Sequence, residues 1–391
     1  MADKAYITPS VLKWARESAR VSIGSAAAKV AVTSEKLTEW EEGQDQPTIR
    51  QGEILAKFYR RPFALFFLPV IPRDFQPLQD FRRGPAQLLG TASIFIIREI
   101  QQKQAWLREV YEDSEENSLP FVGKFTIKSN PQRVAEDILT TLNINPVSYI
   151  EHPIKEWIAK AEAKGIFISR TSFIHSKLKL DSSELQGFAI ADKYAPFIFV
   201  NSEDWDAPQL FTLVHELVHI WIAESGISSD IEPELKSKDK FHPVELFCNE
   251  VTANALMPIH FMNSLPQVTY RSGSEVYAVS KKMGVSSFAF LVRALNLELI
   301  SLEKYRKLKK EADEAFKEFI RIQEDISAKR KANKSPGGPS YYMLLVNKNG
   351  HLFTRVVMDA FRGGFIQPTQ ASSLLSTQVN HFSKLEAYLH K

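Results

Sequence analysis

The sequence predicts a multidomain, mainly α protein. An N-terminal helix-turn-helix bundle spans residues 1–70 and a helical connector 71–125. A central α+β domain with a helical extension covers 126–331, and a small α+β domain covers 332–391. Three observations carry this. Apolar residues three and four apart recur through most of the chain, the period of a helix with one buried face. Two short apolar runs, KGIFISRTSF and PFIFVN, interrupt that period in the middle and read as strands. The stretch KANKSPGGPS, residues 331–340, is rich in turn formers and reads as a linker.

Within residues 1–70, Thr8 is placed to cap a helix carrying Pro9 in its first turn, with Val11, Leu12, Trp14 and Ala15 inward. SIGSAAAKVAV gives a short helix ending near Val30. A turn through Val32 and Thr33 leads into SEKLTEWEEG, where Ser34 is the expected cap, Leu37 and Trp40 face inward and Gly43 stops the helix. Ile49, Ile54, Leu55 and Phe58 mark a fourth helix. Trp14 and Trp40 read as core anchors. Two short helices joined by a tight turn inside a small bundle are the layout of a helix-turn-helix.

Further along, REIQQKQAWLREVYED and NPQRVAEDILTTLNI are amphipathic helices, and a third, very apolar helix runs from about Ala207 to Glu224. After a polar loop another helix covers HPVELFCNEVTANALMP and ends at Pro258. EVYAVSKKMGVSSFAFLVRALNLELI supplies two helices, and SLEKYRKLKKEADEAFKEFIRIQEDISAKRK a long charged one. Beyond the linker, YYMLLVNKNGHLFTRVVMDAF alternates around Asn349-Gly350 like a β-hairpin, followed by helical TQASSLLSTQV.

The totals exclude several classes. There are 49 basic and 46 acidic side chains, so the net charge of +3 does not by itself argue for a polyanion partner. One cysteine, Cys248, excludes an intrachain disulfide framework. The stretch MADKAYITPSVLKW lacks the apolar segment of a signal peptide, and FALFFLPVI is too short for a membrane span. The expectation is a soluble, cytoplasmic protein without a membrane partner.

The chemistry concentrates in FTLVHELVHIWIAESG. Residues four apart stack on one helix face, so His215 and His219 aim at a common point. Two neutral imidazoles there can hold a zinc ion, and Glu216 lies where it can take a proton from bound water. Leu213, Val214, Leu217, Val218, Ile220 and Trp221 bury the helix, and an unpaired imidazole or carboxylate in such a setting is costly. The alternative is that both histidines are satisfied core residues. For a third ligand the downstream candidates are Glu232, Glu234, Asp239, His242, Glu245 and Glu250, and spacing leaves His242, Glu245 and Glu250 open.

FTLVHELVHI followed by ELFCNEVTANALMP resembles the ImmA/IrrE family of metallopeptidases, whose second motif has the form E-x-x-A/C-N-x-x-A-x-x-x-L-M-P. Cys248, Asn249, Leu256, Met257 and Pro258 fall in register, whereas Thr252 stands where alanine is usual. The resemblance covers roughly residues 130–260. Residues 1–70 resemble the Xre-type helix-turn-helix domain often fused ahead of this peptidase, and the tail from Gly337 resembles the C-terminal extension of long members. The resemblance implies a zincin-like central domain with His215, His219 and Glu245 as zinc ligands and Glu216 as the general base. Two imidazoles and a carboxylate are ordinary Zn2+ chemistry. Tyr194, His242 and His260 are candidates for an oxyanion donor.

The implied function is a zinc metalloendopeptidase that cleaves one regulatory partner. That partner would be a helix-turn-helix repressor of a stress, mobile-element or defence locus. Double-stranded DNA is the second expected partner, through residues 1–70, and a homo-oligomer is admissible. The acidic helix SEKLTEWEEG leaves Lys13, Arg16, Arg20, Lys29, Arg50, Arg60 and Arg61 as a phosphate-contacting rim. The competing reading is a DNA-binding regulator or antitoxin, as in toxin-antitoxin loci, whose peptidase-like site is structural or silent.

Overall fold

The computed structural model describes residues 3–72, 78–80, 89–146, 152–175, 178–228, 242–332 and 339–389. In chain order the helices are α1 (Pro9–Ser18), α2 (Ile23–Lys29), α3 (Ser34–Glu42), α4 (Ile49–Tyr59), α5 (Thr91–Asp113), α6 (Pro131–Leu142) and α7 (Pro153–Glu162). They continue with α8 (Asp206–Trp221), α9 (Pro243–Leu256), α10 (Ile259–Ser264), α11 (Gly273–Met283), α12 (Ser287–Asn296) and α13 (Leu302–Ala332). The last are α14 (Tyr341–Asn349), α15 (His351–Arg362), α16 (Pro368–Leu375) and α17 (Phe382–Leu389). The strands are β1 (Gln79–Asp80), β2 (Phe167–Thr171), β3 (Phe173–His175), β4 (Leu178–Lys179), β5 (Gly187–Ile190), β6 (Phe197–Asn201) and β7 (Gly226–Ser228). Among the described residues no helix is long and apolar enough to cross a membrane.

The chain forms two compact units. One comprises residues 1–77, 87–101 and 173–179, and the other comprises 78–86, 102–172 and 180–391. In the first, α1 to α4 are the four expected helices, built around Val11, Leu12, Leu37, Trp40 and Leu55. Gly43 ends α3 in the left-handed region at φ 77°, a conformation that favours glycine. Two caps differ from expectation. The Thr8 hydroxyl donates to the Leu68 carbonyl instead of capping α1, and α3 is capped by Thr33, whose oxygen accepts from Lys36 N–H, not by Ser34. Trp40 is a core anchor, but Trp14 is only half-buried and carries the Arg61 guanidinium 4.5 Å above its ring. β3 and β4 pair antiparallel within this unit.

The second unit is organised by a five-stranded mixed sheet of order β1-β7-β5-β6-β2. β6 runs parallel to β2, with Phe167 opposite Phe197 and Thr171 opposite Asn201, and antiparallel to β5. Alternate residues of a strand face opposite ways. Ile168, Ile198 and Val200 therefore join a core with Val214, Leu217 and Val218 of α8 and Val251 of α9. Phe167 and Phe197 face the other way, where Tyr111 of α5 and Phe353 of α15 meet them. A sheet buried on both faces needs a helical layer on each.

That second layer corrects the C-terminal expectation. Residues 339–389 belong to the same compact unit as the sheet, and where described they are helical, not α+β. No hairpin forms at Asn349-Gly350. Asn349, Phe353 and Val357, four apart, are buried and form a helical stripe that the apparent alternation concealed. Gly350 separates α14 from α15 with φ 87°. Residues 333–338, most of the expected linker, lie outside the described residues.

Candidate metal centre

α8 is buried along almost its whole length, including His215, Glu216 and His219, each 0% exposed. Its C-terminal carbonyls, which lack partners inside the helix, are taken by the segment before α6. Gly123 N–H donates to Ile220 O and Phe125 N–H to Trp221 O. Trp221 stacks on Phe121 at 4.5 Å between centroids, and its indole N–H reaches Asp137. The helix is thereby fixed in rotation, and its two histidines turn toward α9.

α9 brings the third group. Glu245 Oε2 lies 3.1 Å from His215 Nε2, and its Oε1 lies 3.2 Å from His219 Nε2. The two Nε2 atoms are 3.2 Å apart. A tetrahedral metal with ligands at about 2.0–2.1 Å places neighbouring ligand atoms about 3.3 Å apart. The three side chains therefore bring their donor atoms to the spacing that such a site needs, the carboxylate meeting each imidazole with a different oxygen. On the other side of His215, Asn249 Oδ1 lies 3.0 Å from Nδ1.

The protonation states suit a cation. Burial would raise the Glu245 carboxyl, but His215 and His219 outweigh it and hold it down at about 2. Burial pushes His219 down toward the neutral imidazole that a metal requires, against the raising effects of Glu245 and the Glu224 backbone. Glu216 is pushed well up by burial and then by the charge of Glu245. Both of its oxygens are buried without a hydrogen bond of ordinary geometry, and so is the facing hydroxyl of Ser228 on β7. An unpaired buried carboxylate next to three converging ligand atoms is the arrangement that a cation would relieve. The residues fit zinc.

The sequence candidates separate clearly. His215, Glu216, His219 and Glu245 come together. Glu250 is exposed, and His242 is an exposed N-cap of α9 whose Nδ1 accepts from Val244 N–H, so neither takes the third position. Glu232, Glu234 and Asp239 lie outside the described residues. Tyr194 sits in the turn after β5, its N–H donated to Asp192, and His260 lines a cavity of about 190 Å³ bordered by α6 and α10.

Sequence reasoning missed Cys248, which forms with His215 and His219 a group that could hold a metal ion, the ligand atoms all within 4.8 Å. Its spacing three residues after Glu245, one turn along the same helix, was the available signal. Glu245 meets both imidazoles at close range, its oxygens at 3.1 and 3.2 Å. The Cys248 thiol is kept protonated by burial and then by the charges of Glu245 and Glu216.

No curated protein matches the chain significantly. Residues 161–295 match the family model of the IrrE N-terminal-like domain, Peptidase_M78. The segment holds all of these groups, and the match supports the ImmA/IrrE likeness and a protease-like, metal-dependent function for this region.

Proposed function

We propose that the protein is a zinc-dependent endopeptidase acting on a specific regulatory partner, a helix-turn-helix repressor being the class that the family likeness favours. The observation that carries this reading is the convergence of His215 Nε2, His219 Nε2 and the Glu245 carboxylate beside the unpaired, buried Glu216. His215, His219 and Glu245 would hold the metal. Bound zinc supplies Lewis acidity toward water and the scissile carbonyl. Glu216 accepts the proton of the attacking water at a carboxylate oxygen and then delivers it to the leaving amine. Its apolar surroundings make it a stronger base than a carboxylate in water.

In the first unit the basic residues expected to form a phosphate-contacting rim divide into engaged and exposed ones. Arg16 is not a rim residue. Its Nε and Nη2 grip the buried Glu41 carboxylate at 2.7 and 2.8 Å. Lys36 on α3 is tied to Glu39 and Asp45, and the Lys29 ammonium lies over Phe58. Lys13, Arg20 and Arg50 are exposed. Partner docking by residues 1–70 is the reading consistent with an acidic α3.

The test is cleavage of a candidate repressor by the zinc-loaded protein and by Glu216→Gln. The variant should keep its metal and lose cleavage by roughly 10²–10⁴-fold. Unchanged cleavage would sink the mechanism. A salt-sensitive, sequence-selective DNA complex without any cleavage would favour the regulator with a silent site.

A further inference from the structure

We infer that Asn249 is a positioning residue that selects the tautomer of His215 and so keeps its Nε2 lone pair free for a metal. The inference rests on the metallopeptidase reading above. Glu245 and Asn249 are four residues apart on α9 and therefore share a face. Between them they contact both nitrogens of one ring, Glu245 Oε2 at Nε2 and Asn249 Oδ1 at Nδ1.

The consequence follows from proton counting. A neutral imidazole carries one N–H. Left to Glu245 alone, that proton would sit on Nε2, where the carboxylate accepts it, and the nitrogen would have no lone pair for a cation. An amide oxygen at Nδ1 supplies a competing acceptor, so the proton sits on Nδ1 and Nε2 is bare. His215 is fully buried, so water cannot take over that role from the amide. Hydrogen bonds to the second nitrogen of a metal-binding histidine commonly govern affinity by 10–100-fold.

The test uses the full chain and zinc itself. Long-range ¹⁵N–¹H correlation of the metal-free wild type should show His215 as the Nδ1–H tautomer, an observation that needs no variant and no activity. Asn249→Ala should shift the ring toward Nε2–H and weaken zinc, measured against a competing chelator, by roughly 10–100-fold. Asn249→Asp, which keeps an oxygen acceptor, should restore the tautomer and most of the affinity. A wild-type ring protonated on Nε2, or an Asn249→Ala variant with wild-type zinc affinity and tautomer, overturns the inference. If the wild type binds no zinc, the metallopeptidase reading fails, while the metal-free spectrum still decides the role of Asn249.

Discussion

Gly187 on β5 lies directly against Glu216 on α8. A Cβ at position 187 would stand 3.0 Å from Glu216 Oε1, 2.7 Å from Thr212 Cγ2 and 3.0 Å from the Phe199 carbonyl. The sheet reaches the candidate base only because this strand residue has no side chain. Close approach of backbone to a site is one of the few reasons for glycine in a strand interior.

Gly187→Ala should therefore disturb the base without touching a metal ligand. The expected loss is about 1–3 kcal/mol of stability from overpacking, with reduced peptide cleavage and unchanged zinc content. Denaturation midpoints and turnover on the same preparation check both parts. Full activity at wild-type stability would show that the strand can retreat.

A second prediction concerns pH. The Glu162 side chain at the end of α7 accepts the Leu352 N–H at 3.1 Å at the start of α15, and its carboxyl is raised to about 7 by burial, against the lowering effect of the Leu352 and His351 N–H groups. The folded state then holds a proton that the unfolded state has released above about pH 4.5. Stability falls as pH rises from about 4.5 to about 7, by up to about 3 kcal/mol. Glu162→Gln should flatten the difference between urea midpoints at pH 5 and pH 7.5. An identical slope in the variant would exclude Glu162 as its source.

Glu245 has the opposite sign. Its depressed carboxyl contributes stability above about pH 4.5 that is lost as pH falls toward about 2. In metal-free protein, Glu245→Gln should be less stable than wild type near neutral pH, and the gap should close by about pH 2. A gap unchanged across that range would contradict the hold of the two imidazoles on the Glu245 carboxyl.

The C-terminal helices give a fourth prediction. Gly350 has φ 87°, and a Cβ there would lie 2.4 Å from the Ile168 carbonyl of β2, a backbone atom that cannot swing away. Gly350→Ala should cost at least about 2 kcal/mol, seen as a lower unfolding midpoint. An unchanged midpoint would mean that α14 and α15 do not depend on this contact.

These relationships also mark what the sequence could reveal. His215, Glu216 and His219 are fixed by one helical turn, so local periodicity exposed them, whereas spacing left Glu245 open beside His242 and Glu250 and only the family resemblance singled it out. The strands β2 and β6 announced themselves as apolar runs because both faces are covered. Gly187 and Ser228 approach the site through sheet order and helix packing, which spacing does not encode. The caps at Thr8 and Ser34 failed for a local reason. Neighbouring hydroxyl residues compete for the same N–H groups, and a tertiary carbonyl, Leu68 O, captured one of them. The hairpin at Asn349-Gly350 failed because the dipeptide that favours a β-turn serves equally to break one helix before the next.

The most direct test of the central claim is zinc content per chain in the wild type, Glu245→Ala and Cys248→Ala, by elemental analysis after identical loading. Glu245 as third ligand predicts about one zinc ion in the wild type and in Cys248→Ala, with loss from Glu245→Ala. Retention in Glu245→Ala with loss from Cys248→Ala would contradict the assignment, and no zinc in any of the three would contradict the metal centre itself.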